Sequence, residues 1–318
     1  MKVSLVVTVL NVEKEIEAFL ESIEAQTLKP DEVVIVDGGS TDWTLNKLVR
    51  PNLNLRVLVY GGSNRSQGRN RGIQLAKNEI VAVTDCGVFL DKNWLGEITK
   101  PFADKGVNAV AGYYLAKADT VFQKCVAPYF CVMPKEIKER EKRKGFEFLP
   151  SSRSFAFRKS IWGKVGGYPE ELNFCEDLAF DQKIKEDGFK FHFAPQAIVY
   201  WPQRKTLRSV FKQFYNYATG DGQVFFSPYQ THSVKIFLIF LRYWLFLTAF
   251  VFGFWLKIAW NFLAAAVVLY LIWAILKKYR YVKNIKALFW LPVLRIASDI
   301  AVMAGTIKGI TNGKKISR

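Results

Sequence analysis

The chain has 318 residues, of which 50 % are hydrophobic and 15 % aromatic, and its formal net charge is +17. This length suffices for one large domain, or for one domain with a membrane module. The charge implies an anionic partner, but no basic helix has base-reading spacing and no aromatic platform suits single strands, which excludes nucleic acid. Basic clusters alternate with long apolar runs in the C-terminal third, so we expect an anionic membrane surface or a phosphorylated substrate. The four cysteines show no CxxC pairing, which favours a reduced compartment over a disulfide framework or a zinc site.

The first forty residues predict a strand, a helix and a second strand. Residues 33–36 are a continuous apolar run, residues 3–10 have the composition of a second buried strand, and residues 11–26 have the spacing of an amphipathic helix. A right-handed crossover places the loops after both strands at one edge of a parallel sheet, where α/β proteins bind ligands. The second loop, residues 37–42, contains glycines that permit a close backbone approach. The alternative interpretation of this loop is a tight turn with a carboxylate facing water.

Two further strand-to-loop transitions follow. A short helix at residues 44–50 and a strand at 55–60 precede the segment GGSNRSQGRNRGIQLA, with a helix predicted from about Asn70 to Lys77. The arginines of this segment suit an anionic phosphate at a helix N-terminus, although a solvated basic loop is the alternative. The next strand ends at Asp85, where a carboxylate commonly faces a ligand or a divalent ion.

A helix that begins near Glu176 carries acidic residues in its first turn, as the helix dipole favours. Such a helix would place Asp177 at the mouth of the sheet. The alternative is that Glu176 and Asp177 only cap and charge the helix.

The composition changes after Lys235. Residues 236–256 and 258–276 are each long and apolar enough to span hydrocarbon. The connection between them carries one lysine, whereas residues 277–286 and the C-terminus are strongly basic. By the positive-inside rule we expect an integral membrane protein whose catalytic domain and C-terminus are cytoplasmic.

The third apolar stretch, residues 287–307, has basic flanks on both sides and contains Arg295 and Asp299. A full span would leave one basic flank outside, so we predict an interfacial or re-entrant helix there. The predicted division is therefore a catalytic domain at 1–225 and a membrane module at 226–318.

The residues together resemble the family 2 glycosyltransferases with the GT-A fold, a Rossmann-like, mostly parallel α/β sheet flanked by helices. The resemblance covers about residues 1–225 and implies an inverting transferase with a UDP- or GDP-linked sugar donor. The matching segments, in the family's order, are VSLVVTVLN, EAQTLKPDEVVIVDGGSTD, GRNRGIQLA, VTDCGVFLDKNWL, SSRSFAFRKS, GGYPE and EDLAFDQKIKEDG.

The resemblance also assigns donor-binding residues. One position, Asp37, matches the carboxylate that meets the base, and Arg69 matches the basic residue of the third loop. The full set of implied donor-binding residues is Thr8, Asn11, Glu13, Asp37, Gly39, Arg69 and Asp85.

The expected metal ligand is Asp85, which matches the first acid of the family's DxD motif. The second acid is absent, because Cys86 and Gly87 follow. We still expect Mg or Mn at Asp85, since magnesium often takes only one or two protein carboxylates. Part of the charge that stabilises the diphosphate leaving group is expected from arginines. The candidates on the diphosphate or acceptor side are Arg153 and Arg204, in addition to Arg69.

The expected catalytic base is Asp177, the second residue of the family's ED motif, with Glu176 in support. A carboxylate there accepts the proton of the acceptor hydroxyl as that oxygen attacks the anomeric carbon. The QxxRW signature of processive synthases is absent, because Gln203 and Arg204 are adjacent. The resemblance therefore implies transfer of one sugar.

The leading hypothesis is an inverting transferase that acts on a lipid-linked saccharide or glycan precursor at the cytoplasmic membrane face. One alternative is a polyprenyl-phosphate glycosyltransferase, which needs no strong base because the lipid phosphate is its acceptor. Another is a non-catalytic membrane scaffold with a degenerate transferase domain, as the broken DxD motif suggests. A sugar nucleotidyltransferase is disfavoured by the missing glycine-rich GxGxR start.

Overall fold

The computed structural model describes residues 1–143, 145–172, 174–225 and 232–312. Contacts divide the chain into two compact units. The first unit contains Met1–Lys117 and Pro134–Pro202, and the second contains Ala118–Met133 and Gln203–Arg318. The basic C-terminal residues 313–318, to which part of the orientation prediction refers, lie outside the described residues.

The described elements alternate between strands and helices up to residue 202 and are helical beyond it. Five helices, α4 and α8 to α11, belong to the second unit. In chain order the elements are β1 (Val3–Val9), α1 (Ile16–Glu24), β2 (Glu32–Asp37), β3 (Leu55–Val59), α2 (Arg65–Leu75), β4 (Ile80–Asp85), β5 (Phe89–Leu90), α3 (Trp94–Thr99), β6 (Ala109–Lys117), α4 (Val121–Phe130), α5 (Pro134–Glu141), β7 (Phe155–Arg158), α6 (Lys159–Lys164), α7 (Glu176–Glu186), β8 (Phe191–Pro202), α8 (Leu207–Gln223), α9 (Ser233–Phe252), α10 (Ile258–Val282) and α11 (Ala287–Asn312), with short 3₁₀ helices at Leu45–Lys47 and Lys100–Ala103.

The first unit is built on one mixed sheet with the strand order β3-β2-β1-β4-β7-β6-β8-β5. The pairs β1–β2, β1–β4, β2–β3 and β6–β8 are parallel, whereas β7 runs antiparallel to β4 and β6, and β5 runs antiparallel to β8. All six residues of β2 are buried, as a strand covered on both faces requires. The predicted α/β class with flanking helices is confirmed.

The register places the predicted ligand loops side by side. In the parallel pairs, Val9 lies opposite Asp37, and Thr8 lies opposite Asp85. The ends of β1, β2 and β4 therefore meet at one edge of the sheet, as the strand–helix–strand pattern predicted.

Two helix starts differ from the predictions. Helix α1 begins at Ile16 instead of residue 11, because residues 11–13 are hydrogen-bonded to the loop after β2. Helix α2 begins at Arg65 instead of about Asn70, because Asn64 and Gln67 form a capping box. Most of the basic segment predicted as a loop is therefore helical.

Two glycines allow α2 to pack closely on the sheet. A Cβ atom on Gly68 would lie 2.9 Å from Cγ2 of Thr8, and one on Gly72 would lie 2.5 Å from Cγ1 of Val6. Because the glycines are four residues apart, both lie on the helix face toward β1. Their small size sets the distance at which Arg69, between them in sequence, approaches the sheet edge.

The second unit contains three helices, α9, α10 and α11, that are each long and apolar enough to cross a membrane. Large apolar side chains of α9 and α10 point outward, including Phe237, Trp244, Phe262 and Leu276. These helices support membrane anchoring. Whether α11 spans the membrane or lies in its interface stays a prediction, as does the functional boundary at residue 225.

Helices α8 and α11 are in backbone contact. A Cβ atom on Gly309 would lie 2.2 Å from the carbonyl oxygen of Thr219, and one on Gly305 would lie 2.3 Å from that of Tyr215. A Cβ atom on Gly222 would lie 2.5 Å from the carbonyl oxygen of Thr306. Such small-residue contacts let helices approach more closely than larger side chains permit.

Candidate active site

Hydrogen bonds join the loops after β1 and β2, and two of the predicted donor-binding residues, Asn11 and Glu13, take part in them. Asn11 has a left-handed backbone (φ 51°), its amide donates to Ser40 Oγ at 2.8 Å, and its Oδ1 accepts from the amide of Thr41 at 2.9 Å. The Glu13 amide donates to Asp42 Oδ2 at 3.1 Å. The two loops thus form one hydrogen-bonded rim of the sheet edge.

The carboxylate of Asp37 is fully buried under its own turn. Its Oδ2 accepts from the amides of Gly39 at 3.0 Å and Ser40 at 2.8 Å, and its Oδ1 accepts from the Ser40 hydroxyl. Gly39 has φ +94°, and a Cβ atom there would lie 3.0 Å from Cα of Gly61. Asp37 therefore shapes this loop, and its predicted contact with a nucleotide base stays a prediction.

Arg69 occupies the centre of the site and is 2 % exposed. Its Nη2 donates to Asp85 Oδ1 at 2.6 Å, and its Nη1 donates to Glu176 Oε1 at 2.7 Å. Its guanidinium also lies over the Tyr168 ring, 5.4 Å from the centroid. Burial disfavours the charged guanidinium, but the carboxylates of Asp85 and Glu176 outweigh burial and raise the pKa of Arg69. One arginine thus joins the end of β4 to the start of α7.

Asp85 remains an ionised and reachable carboxylate. Burial raises its pKa, but the guanidinium groups of Arg69, Arg153 and Arg65 outweigh burial and lower the pKa below its usual value. Its side chain is 29 % exposed. A charged oxygen is therefore available to a ligand at the edge of the sheet.

Arg153 is placed beside Asp85 by strand pairing. The Thr84 hydroxyl donates to the carbonyl oxygen of Arg153 at 2.7 Å, which fixes the chain entering β7 next to the end of β4. The Arg153 guanidinium packs over the Trp201 ring at 3.8 Å and donates to Ser151 Oγ at 2.7 Å. Ser151 Oγ lies 3.4 Å from Asp177 Oδ2, so Arg153 and the predicted base are joined through one hydroxyl.

Helix α7 presents a second carboxyl one turn after Asp177. Asp181 is 1 % exposed, and its Oδ2 has no hydrogen-bond partner among the described residues. Burial, then the nearby carboxylates of Asp177 and Glu147, raise the pKa of Asp181 well above its usual value. The protonated form of Asp181 is thereby favoured in the folded protein.

Several site residues were not predicted from the sequence. Tyr168, Ser151 and Trp201 contact Arg69, Asp177 and Arg153, but no local pattern distinguishes them from packing residues. Arg65 was predicted only as one of the arginines that suit a phosphate, and its charge helps to lower the pKa of Asp85. Arg204 lies in the second unit, where its Nε donates to Gln213 Oε1 at 2.9 Å. Its predicted role at the diphosphate stays a prediction.

The residues present fit a metal ion held by a single protein carboxylate. Within the described part of the chain, no group of three or more His, Cys, Asp or Glu side chains could hold a metal. Burial, followed by Glu15 and Asp85, raises the pKa of the Cys86 thiol to about 12, so it stays protonated and is a poor ligand. Gly87 stands at the second acid position with φ +110°, which an aspartate rarely adopts. Asp85 is therefore the protein ligand that remains at this motif, and Mg or Mn can be bound by one carboxylate together with phosphate and water oxygens.

Comparison with known proteins decides the family. The model of Glycosyl transferase family 2 matches residues 4–163, which include β1 to β4 and the loops described above. The chain belongs to glycosyl transferase family 2. It is a glycosyltransferase, as the resemblance implied.

Two relatives of this family 2 glycosyltransferase are O-antigen chain rhamnosyltransferases. It is 25 % identical over 224 residues to the O-antigen chain rhamnosyltransferase RfbN of Salmonella typhimurium, a match that covers 68 % of this chain and 71 % of the relative. It is 28 % identical over 204 residues to the O-antigen chain rhamnosyltransferase WbaN of Salmonella anatum, covering 62 % and 65 % of the two chains. These likenesses agree with the assignment to a family of glycosyltransferases.

The fold of the family 2 glycosyltransferase also has a solved counterpart. The mannosyltransferase PcManGT from Pyrobaculum calidifontis, solved in complex with GDP-Man and Mn²⁺, superimposes with a TM-score of 0.60 at 18 % identity. The match covers 95 % of this chain and 87 % of that one. The predicted GT-A fold followed by apolar helices is confirmed.

Proposed function

We propose that this enzyme transfers one sugar, with inversion, from a nucleotide-sugar donor to a hydroxyl of a lipid-linked saccharide or glycan precursor. The observation that carries the proposal is the position of Arg69 between Asp85 and Glu176. Through Arg69, the carboxylate assigned to the donor and the motif that contains the base are held at one place. Two acidic side chains, Asp85 and Glu176, that share one buried guanidinium at the donor edge support a working site over a scaffold without activity.

The donor is assigned to the rim formed by the loops after β1, β2 and β4. Its nucleotide lies against the segment Thr8–Glu13 and the loop from Asp37, and its diphosphate lies near Asp85. Asp85 would hold Mg or Mn, which neutralises charge on the diphosphate when it is bound. The PcManGT complex with GDP-Man and Mn²⁺ supports a nucleotide sugar and a divalent ion. Arg69 and Arg153 add positive charge where the leaving group develops negative charge.

The chemical step is a single displacement with Asp177 as general base. The acceptor oxygen forms a bond to the anomeric carbon while the bond from that carbon to the diphosphate breaks. The acceptor proton passes to Asp177. Glu176, held by Arg69, orients the first turn of α7, and the Ser151 hydroxyl lies close enough to position Asp177. One displacement at the anomeric carbon inverts its configuration.

The membrane helices support a lipid-linked acceptor. An enzyme that takes a soluble donor gains effective concentration for a lipid-borne acceptor by staying in the plane of the membrane. The basic segment at residues 277–286 supports a cytoplasmic position for the catalytic domain. The O-antigen rhamnosyltransferases support a glycan precursor as the acceptor class.

The test is a calorimetric screen of the detergent-purified enzyme against UDP, GDP and their common sugar conjugates, each with Mg, Mn or EDTA. We expect one nucleotide to bind in a metal-dependent manner, and Asp85→Ala to weaken that binding at least tenfold. Asp187→Asn, a change of charge at the far end of α7, is the matched control and should bind like the wild type. Absence of binding by every nucleotide, with the fold intact, would contradict the proposal and favour a scaffold.

A further inference from the structure

The apolar helices of the second unit enclose a cluster of charged side chains. Arg242 lies in α9, Tyr270 in α10, and Arg295 and Asp299 in α11. Ionisable residues in membrane-crossing segments are energetically costly, and they commonly mark substrate or ion sites. The transferase chemistry proposed above uses none of these residues.

The three helices converge on one carboxylate. The side chain of Asp299 is 1 % exposed. Its Oδ2 accepts from Arg242 Nη2 at 2.5 Å and from the Tyr270 hydroxyl, and its Oδ1 lies 3.1 Å from Arg295 Nη2. Arg295 Nε also donates to the Tyr270 hydroxyl at 3.3 Å. The geometry holds two guanidinium groups in fixed positions on either side of Asp299.

The cluster carries more positive than negative charge. Two guanidinium groups share one carboxylate, and among the described residues neither arginine forms an ion pair with any other acid. The rest of their surroundings is aromatic or basic: Arg242 lies 4.4 Å from the Tyr270 ring centroid, and Trp273 lies beneath both Arg295 and Lys277. The Nε of Arg242 is buried, and no described residue forms a hydrogen bond with it. An unpaired cationic charge in an apolar environment is destabilising, and a bound anion would reduce that cost.

An anion can reach the cluster from outside. The side chains of Arg242 and Arg295 are 22 % and 18 % exposed, whereas Asp299 is enclosed. Arg242 lies seven residues beyond Lys235, or about 10 Å along the helix, and Trp273 lies about 6 Å before Lys277. The cluster is therefore about two helical turns inside the basic ends of α9 and α10.

We propose that Arg242 and Arg295 bind the phosphate group of a membrane lipid. A lipid is favoured over a free anion because its chain lies along the exposed apolar faces of α9 and α10, which carries the phosphate to this depth. Lys277 extends the positive charge toward the basic end of α10 and suits a second phosphate. That this lipid carries the acceptor saccharide rests on the proposed function, whereas the binding of a lipid phosphate does not.

The test measures binding of a polyprenyl phosphate to the full-length protein in neutral detergent without donor, so the outcome is independent of transferase activity. Matched probes are the polyprenol of the same chain length and inorganic phosphate. We expect tight binding of the lipid phosphate, and binding at least tenfold weaker in Arg242→Gln and Arg295→Gln, which corresponds to about 1.4 kcal/mol. Arg280→Gln removes the same charge from an exposed position of α10 and should bind like the wild type.

A second variant separates ligand binding from packing. Asp299→Asn breaks the same ion pairs but keeps both arginines. The lipid phosphate should therefore still bind, even if the variant unfolds at a lower temperature than the wild type. Loss of binding in Asp299→Asn equal to that in Arg242→Gln would show that the cluster serves packing alone. Equal affinity for the polyprenol, or full competition by inorganic phosphate at the same concentration, would also overturn the proposal.

Discussion

The Nη2 atom of Arg69 lies 2.6 Å from Oδ1 of Asp85, and the same guanidinium reaches Glu176 with its other nitrogen at 2.7 Å. The contact links α2 to β4 and α7, although the three elements are far apart in the sequence. Because Arg69 and Glu176 are almost fully enclosed, the pairing is shielded from water and salt. The site is thus assembled around a cation that is already in place before a donor binds.

Replacing Arg69 should destabilise the first unit. In Arg69→Met the Glu176 carboxylate stays buried without its partner, and breaking a buried pair in this way costs about 3 kcal/mol. Chemical denaturation monitored by tryptophan fluorescence measures this loss. The control is Arg71→Met, at an exposed position of the same helix, where the guanidinium donates to Gln74 Oε1. Equal stability of the two variants would contradict the central role of Arg69.

Replacing the proposed base should abolish turnover and spare donor binding. In Asp177→Asn no carboxylate accepts the acceptor proton, so kcat should fall by about 10²- to 10⁴-fold. The donor Kd should stay within about twofold of the wild type, because a base that faces the acceptor does not hold the nucleotide. Turnover and calorimetric binding are measured on the same preparation, with Asp187→Asn as the control. A parallel loss of donor affinity would reassign Asp177 to the donor side.

Asp181, one turn after the proposed base on α7, should destabilise the fold at neutral pH. The pKa of Asp181 is raised in the folded protein, so folding disfavours its ionised form, and the resulting instability develops as pH rises above the unfolded value of 3.8. Asp181→Asn should therefore raise the midpoint of thermal unfolding at pH 7 by a few degrees, as about 1 kcal/mol does for a unit of this size. Below the unfolded pKa the Asp181 carboxyl is neutral in both the folded and the unfolded protein. The stabilisation by Asp181→Asn should therefore disappear there. A gain that is independent of pH would show that burial of the charge is not its cause.

Asp85 should change the pH dependence of stability in the opposite direction to Asp181. Its pKa is lowered in the folded protein, so its contribution to stability is fully present above the unfolded value of 3.8 and is lost as pH falls through the lower folded value. Asp85→Asn should thus unfold more easily than the wild type at pH 6, and the difference should shrink in acid. Thermal unfolding from pH 6 to pH 3 measures it. A difference that grows in acid would contradict the pairing with Arg69.

The contact between α8 and α11 should not tolerate a side chain on Gly309. A Cβ atom there meets the backbone carbonyl of Thr219, which cannot turn away, so Gly309→Leu forces the helices apart. We expect a loss of about 3 kcal/mol in thermal unfolding of the detergent-solubilised protein. Ala304→Leu adds a similar volume at an exposed position of α11 and should be neutral. Equal tolerance at both positions would show that the helices do not touch.

The sequence determined the sheet edge and the carboxylates that lie on it. Apolar runs identify buried parallel strands, and their connectivity decides which strand ends share an edge, so Asp37 and Asp85 were both predicted at one edge of the sheet. The register places them on either side of β1. The first turn of α7 was predicted from a local pattern, because acidic residues are favoured at the start of a helix.

Only the tertiary structure decided which side chains pair. Arg69 was expected in a loop that binds phosphate, whereas the capping box of Asn64 and Gln67 starts a helix before Arg69. That helix buries Arg69 between Asp85 and Glu176. Ser151 and Asp177, and likewise Arg242 and Asp299, meet across long stretches of chain. Periodicity reports which face of an element is apolar, but not its rotation or distance from a neighbour. The rotation of an element and its distance from a neighbour depend on packing among distant elements. They decide which charged side chains pair with one another and which can bind a ligand.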